Sequence, residues 1–170
     1  MAIWEMFISP KLLSVYQAYE IYYRDKLLHI FSKEGYKEVL EKLLQLPLIN
    51  AQVNTVDRYG YTPLHYAILK GHLDVIHLLM KCNHINPNMR NKNGFMPIQI
   101  AILKNQPATV KLFIASDKID LNKQDKQYKT PLNIVPSKDR FIKSMILAKL
   151  KKYNNGHKPV SDFSSINKLL

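Results

Sequence analysis

Sliding the chain on itself by 34 places brings several unlike features into register at once. Such a period demands a stack of small units rather than one closed globule. Asn54, Asn88 and Asn122 coincide, as do Asp57, Asn91 and Asp125, then Gly60, Gly94 and Tyr128, then Pro63, Pro97 and Pro131, then Leu64, Ile98 and Leu132. A unit of this size cannot bury its apolar face alone, so each must lean on its neighbours in a quasi-linear array.

The order of residue types within a unit decides what the unit is. The best-formed one reads DRYGYTPLHYAILKGHLDVIHLLM, starting at Asp57. Its first four residues are turn-like. Thr62 then offers a capping hydroxyl, and Pro63 stands at the first helical position, where a missing N–H costs nothing. Leu64, Ala67 and Ile68 share one face of the helix this predicts, and Gly71 supplies a left-handed stop. Val75, Ile76, Leu78 and Leu79 predict a second helix at the same period. The unit is therefore turn, helix, turn, helix.

Thr62-Pro63-Leu64-His65-Tyr66-Ala67, preceded by D-x-x-G and followed by G-x-x-x-V-x-x-L-L, resembles the ankyrin T-P-L-H-x-A motif. That order separates it from tetratricopeptide units, which share the period. The next unit keeps Gly94, Pro97, Ile98, Ala101, Val110 and Leu112 but has Met96 and Gln99 for the threonine and histidine, so it resembles a degenerate ankyrin repeat. A further unit retains Thr130-Pro131-Leu132 but places Pro136 where its first helix should continue, which predicts a shortened helix. Upstream, Leu28, His29, Gly35, Val39 and Leu43 align with Leu64, His65, Gly71, Val75 and Leu79 at an offset of 36, two extra residues falling in the Leu46-Pro47-Leu48-Ile49 connection.

The resemblance implies an all-α ankyrin-repeat solenoid of about four helix-turn-helix units with β-turn fingers. The predicted organisation is a capping helix over 1–23, repeats over 24–54, 55–88, 89–122 and 123–153, and a flexible tail over 154–170. The first helix, with Leu12, Leu13, Tyr16, Tyr19 and Tyr23 largely on one side, reads either as a lid on the first repeat or as a tyrosine-rich partner-binding helix. Asn154-Asn155-Gly156 reads as a helix stop before a polar tail.

The chain holds no pattern that carries catalysis. Its five glycines fall at predicted turns or helix ends and form no phosphate-cradling loop, and neither G-x-S-x-G nor H-E-x-x-H occurs. Cys82 and His84, with His77 nearby, lack a second cysteine pair or metal-ligand spacing. The expectation is no enzyme activity, metal, cofactor or small-molecule substrate. A single cysteine fits a reducing compartment. No secretory leader and no run of 18 apolar residues occurs, so the chain is expected to be soluble and cytoplasmic. The Lys-, Asn-, Ile- and Tyr-rich composition offers a second location, the cytosol of a host cell entered as a bacterial effector.

What remains is binding. Lys and Arg number 25 against 13 acidic residues, a formal charge of +12, which favours acidic partners. In ankyrin proteins, partners contact the turn tips and the exposed ends of the first helices along one concave face. Carried over by repeat position, that face has Arg58, Tyr59 and Tyr61 in one unit, Lys92, Asn93 and Phe95 in the next, and Lys126, Gln127 and Lys129 in the third. The first-helix ends carry Leu69 and Lys70, Leu103 and Lys104, and Ser137 and Lys138.

Two basic columns result, Arg58–Lys92–Lys126 and Lys70–Lys104–Lys138, each stepping by the repeat length. Either duplication copied the charges or an acidic groove partner requires them. With aromatic residues interleaved, the expected partner is an acidic protein surface or peptide. Nucleic acid or anionic lipid, drawn by the same charge and by Lys149, Lys151 and Lys152, is the alternative.

Overall fold

The computed structural model describes residues 26–154. Helical residues 26–34 (α1) lead into α2 (Lys37–Leu44) and a single turn, α3 (Pro47–Asn50). Two helical hairpins follow, α4 (Pro63–Lys70) with α5 (Leu73–Lys81) and α6 (Pro97–Leu103) with α7 (Pro107–Ala115). A 3-10 turn (Leu132–Ile134) and the long α8 (Arg140–Asn154) complete the series. No strand occurs among the described residues. The expected helix over 1–23 and the tail beyond Asn154 lie outside them.

The helices form two rows. First helices pack on first helices, α4 on α6 and α6 on the 3-10 turn, while α2, α5, α7 and α8 form the second row. Between the rows runs one continuous core, with Leu28, Leu64, Ile68, Ile76, Leu79, Ile98, Ile102, Phe113, Ile142 and Ile146 all fully buried. Each is felt strongly, since truncating such a side chain to alanine costs about 2–5 kcal/mol.

The local chemistry of the Asp57 unit is as its residues require. The Thr62 hydroxyl accepts from the His65 amide, and the His65 ring accepts from the Thr62 amide, closing a reciprocal cap at Pro63. Gly71 ends α4 at φ 78°. In the following unit Asn105 takes that place at φ 52°, a conformation Asn tolerates better than most residues.

Pro136 does shorten the last first helix to the 3-10 turn. In consequence Lys138 does not end a helix as expected. It sits in the turn before α8, leaving the second basic column with two helix-end rungs, Lys70 and Lys104. Val39 also departs from its alignment: it is 38% exposed while Val75 is 1% exposed. The neighbouring Leu40 keeps its place in the core at 0%, as does Ile76, with which it aligns. Val75 lies on a helix flanked by both α2 and α7, whereas any equivalent neighbour before α1 would come from residues outside those described.

Three hydrogen-bond ladders join consecutive units. His29 Nε2 bonds the Tyr61 carbonyl at 2.9 Å, His65 Nε2 the Phe95 carbonyl at 3.2 Å, and Gln99 Nε2 donates to the Lys129 carbonyl at 3.0 Å. Asn54 donates to the His84 carbonyl and accepts from the Asn86 amide; Asn88 does the same with Lys118 and Asp120. His72 reaches back to the Lys33 carbonyl at 2.9 Å, and Gln106 donates to the Ile68 carbonyl at 2.8 Å.

Candidate partner-binding face

Each finger is a tight loop closed by one side chain. Asp57 Oδ1 accepts from the amides of Tyr59 and Tyr61 at 2.8 and 2.9 Å, while the Asp57 amide donates to the Tyr61 carbonyl at 3.0 Å. Asp125 holds Gln127 and Lys129 in the same way, and Asn91 holds Phe95. The residue after the closing side chain is thereby thrown to the tip. Arg58, Lys92 and Lys126 are all exposed for this reason.

The fingers stack through their backbones. Lys92 N–H donates to the Tyr59 carbonyl at 2.9 Å, and the Lys126 ammonium donates to the Lys92 carbonyl. A Cβ on Gly60 would lie 2.8 Å from the Lys92 nitrogen, and one on Gly94 equally close to the Lys126 nitrogen, so the next finger requires glycine below it. No following finger presses on Tyr128 among the described residues. It adopts φ 60° with its side chain 81% exposed.

The outer side-chain atom of the closing residue is met differently in each unit, and in the last, where Ile134 stands at the tyrosine position, Gln99 Nε2 donates to Asp125 Oδ2 at 3.4 Å. Tyr66 donates its hydroxyl to Asp57 Oδ2 at 2.6 Å. Burial opposes ionisation of Asp57, but the Tyr66 hydroxyl, the Tyr61 and Tyr59 amides and the nearby His29 outweigh it and hold its carboxyl below the usual range. Burial, with the bond and charge of Asp57, pushes Tyr66 up to about 12, so it remains a neutral donor. Where Ile100 replaces the tyrosine, the closing residue is the uncharged Asn91, whose buried Nδ2 has no partner among the described residues.

The expected contact residues separate into groups. Arg58, Tyr59, Lys70, Lys92, Asn93, Leu103, Lys104, Lys126, Gln127, Lys129 and Lys138 are exposed. Tyr61, Leu69 and Phe95 are half-buried and packed on the core, Tyr61 lying edge-on to the His65 ring at 5.6 Å. These two aromatic residues support the fingers rather than project from them. The Arg58 guanidinium lies over the Tyr59 ring at 4.7 Å from its centroid, a contact of about 0.5–1 kcal/mol at an exposed site.

A cleft of about 670 Å³ brings Arg58 and Tyr59 together with residues the sequence reading did not assign to the face. Lys26, His29, Ile30 and Lys33 of α1 line it together with Val56, Asp57 and Tyr66. The offset of 36 already placed Ile30 opposite Tyr66 and Lys33 opposite Leu69, so extending the concave positions into the first unit would have found them.

No group of three or more His, Cys, Asp or Glu side chains suited to a metal occurs among the described residues. Cys82 is buried, and burial pushes its thiol up despite the Lys118 charge. Among the described residues no helix is long and apolar enough to cross a membrane.

Comparison with known families agrees with the helical repeats. A family model for ankyrin repeats (3 copies) matches residues 11–91, and another for ankyrin repeats (many copies) matches residues 70–114.

Proposed function

Because this chain belongs to the ankyrin-repeat family, whose repeats mediate protein–protein interaction, we propose that it is a non-enzymatic scaffold binding an acidic protein segment through its concave face. Charge segregation carries this reading. In the two central units the fingers and first helices hold Arg58, Lys70, Arg90, Lys92 and Lys104 against a single carboxylate, Asp57, which is bonded internally. The second helices and their loops balance Lys81, Lys111 and Lys118 with Asp74, Asp117 and Asp120. A field confined to one side of a stack steers an acidic partner onto that side.

The cationic end of α8 is less well suited to nucleic acid or anionic lipid. Lys149 bonds Asp117 at 3.0 Å, which withdraws one of its three lysines.

Affinity capture with the wild type beside a Lys70→Glu/Lys92→Glu/Lys104→Glu variant tests the reading. Loss of an acidic protein partner from the variant is expected. Unchanged capture refutes it, as does wild-type retention of an oligonucleotide or anionic liposomes at physiological salt without any protein partner. The composition extends the proposal to action in a host cytosol, and retention of the protein inside the producing cell during infection would refute that extension.

A further inference from the structure

We propose that the cleft between α1 and the first finger is the anchoring pocket of the concave face, taking an apolar side chain flanked by carboxylates in a segment of a partner protein. The inference rests on the concave-face reading and adds a place and a chemistry to it.

The α1 wall follows from helical spacing. Residues 26, 29, 30 and 33 recur at one-face intervals, so Lys26, His29, Ile30 and Lys33 share one stripe. Facing them are Val56, Asp57, Arg58 and Tyr59, and Tyr66 completes the lining. Ile30, Val56 and Tyr59 are 47%, 49% and 50% exposed. Further along the same row Ile100, which corresponds to Ile30, is only 6% exposed. The apolar floor is thus open at the amino-terminal end and closed in the third unit.

The charges are equally uneven. Lys33 and Arg58 stand in the cleft against one carboxylate. Asp57 already accepts from Tyr59, Tyr61 and Tyr66. Glu34 approaches Lys33 only at 3.8 Å, and both side chains are about half exposed. A purely anionic ligand would leave three apolar walls unused, and a purely apolar one would strip water from the cations without return. An apolar side chain between carboxylates satisfies both sets. A nucleobase is a poorer fit, because two walls are aliphatic and the Tyr59 ring carries Arg58 on its face, leaving little of the stacking platform such ligands use.

Fluorescence anisotropy on the full chain at physiological salt tests this with three labelled probes: a peptide alternating Glu with Leu and Phe, a poly-glutamate peptide of equal length, and a single-stranded oligonucleotide. The mixed peptide should bind several-fold tighter than the other two. Lys33→Glu/Arg58→Glu should weaken it about tenfold. Ile30→Ser should weaken the mixed peptide and leave poly-glutamate unaffected, with circular dichroism confirming that these surface variants stay folded.

Equal binding of poly-glutamate or of the oligonucleotide overturns the proposal, as does failure of the wild type to bind the mixed peptide. If the cleft variants bind normally while the Lys70/Lys92/Lys104 reversal does not, the cleft is wrong and the face stands. If neither set matters, both fall. Trp4, the single tryptophan, reports on one further outcome: a shift of its emission in the cleft variants would make residues 1–25 of this chain the occupant and overturn the partner assignment.

Discussion

Replacing His65 by glutamine should remove a specific acid sensitivity without removing the bonds that His65 makes. His65 Nδ1 faces the Thr62 amide at 3.1 Å, a group that can only donate, so Nδ1 must be the unprotonated nitrogen. Nε2 then carries the hydrogen and donates to the Phe95 carbonyl. A second proton has no place, and burial lowers the His65 pKa from 6.5 to about 4, working against the favourable Phe95 bond and Asp57 charge. The unfolded chain therefore takes up a proton that the folded one refuses. Stability is unaffected well above pH 6.5 and falls between there and pH 4. Linkage makes the loss about 2 kcal/mol at pH 5 and about 3 kcal/mol once pH 4 is passed. Gln99 already shows that an amide fits the role: its Oε1 accepts from the Met96 amide at 3.0 Å while its Nε2 donates to Lys129. His65→Gln should then cost under about 1 kcal/mol at pH 7.5. Urea unfolding followed by circular dichroism, compared between the two proteins at pH 7.5, 6.5, 5.5 and 5.0, cancels the groups they share. The variant should overtake the wild type as pH falls through 6, and parallel curves would refute the assigned tautomer and its burial.

Other consequences test neighbouring parts of the stack. Asn91→Asp should destabilise by about 1–3 kcal/mol, because Ile100 offers no hydroxyl and the one N–H of His65 is committed to the Phe95 carbonyl, whereas Gln99 has a second N–H for Asp125, and Ile100→Tyr should recover part of the loss in a double-mutant cycle. Tyr128→Gly should stabilise by up to about 1 kcal/mol by relieving a left-handed tyrosine, whereas Gly94→Ala should cost about 2 kcal/mol or more, since φ 90° and the overlying Lys126 backbone both oppose a Cβ. Thermal melts of the pair decide it, and equal effects would show that finger stacking imposes no glycine. Asn88→Ala should lower stability by about 1–2 kcal/mol and increase amide exchange around Asp120 as the clamp between units opens.

Much of this architecture was legible because its signals are local. Thr62, Pro63 and Gly71 announce a helix by what their own backbones and side chains can do, and Pro136 ends one by what it cannot. The parts that were missed depend on neighbours. Gln99 reads as a lost motif residue, yet its amide offers a donor and an acceptor at the reach of the histidine it replaces. The same His-to-Gln exchange occurs between His72 and Gln106, one repeat apart, and was a readable sign of the third ladder. Tyr61 and Phe95 lie in the right column for contact residues, but column position does not reveal that a ring folds back on the core. Lys138 kept its register in sequence and lost its helix in space, since one proline removed the turns that would have carried it.

These details also change what the basic columns mean. Lys70 and Lys104 close α4 and α6, where a cation is favoured by the unpaired carbonyls of any helix end. Lys126 fastens one finger to the next through the Lys92 carbonyl. Repetition of a lysine at those places therefore has a physical account within the stack, and a column by itself does not call for a ligand. The cleft residues have no such account. Ile30, Val56 and Tyr59 expose apolar surface that the fold leaves uncovered among the described residues, and Arg58 is held against Tyr59 at the mouth of the cleft rather than bonded across to the next finger. A positive field shared by the whole face attracts, but it discriminates weakly, because every acidic segment feels it. Discrimination requires a place where the wrong side chain leaves something unsatisfied. On this face the amino-terminal cleft meets that condition, since it sets open apolar walls beside Lys33 and Arg58, whose water an apolar group alone would displace without return. Affinity changes at Ile30 should therefore separate one acidic partner from another, while changes at Lys70 and Lys104 should weaken all of them alike.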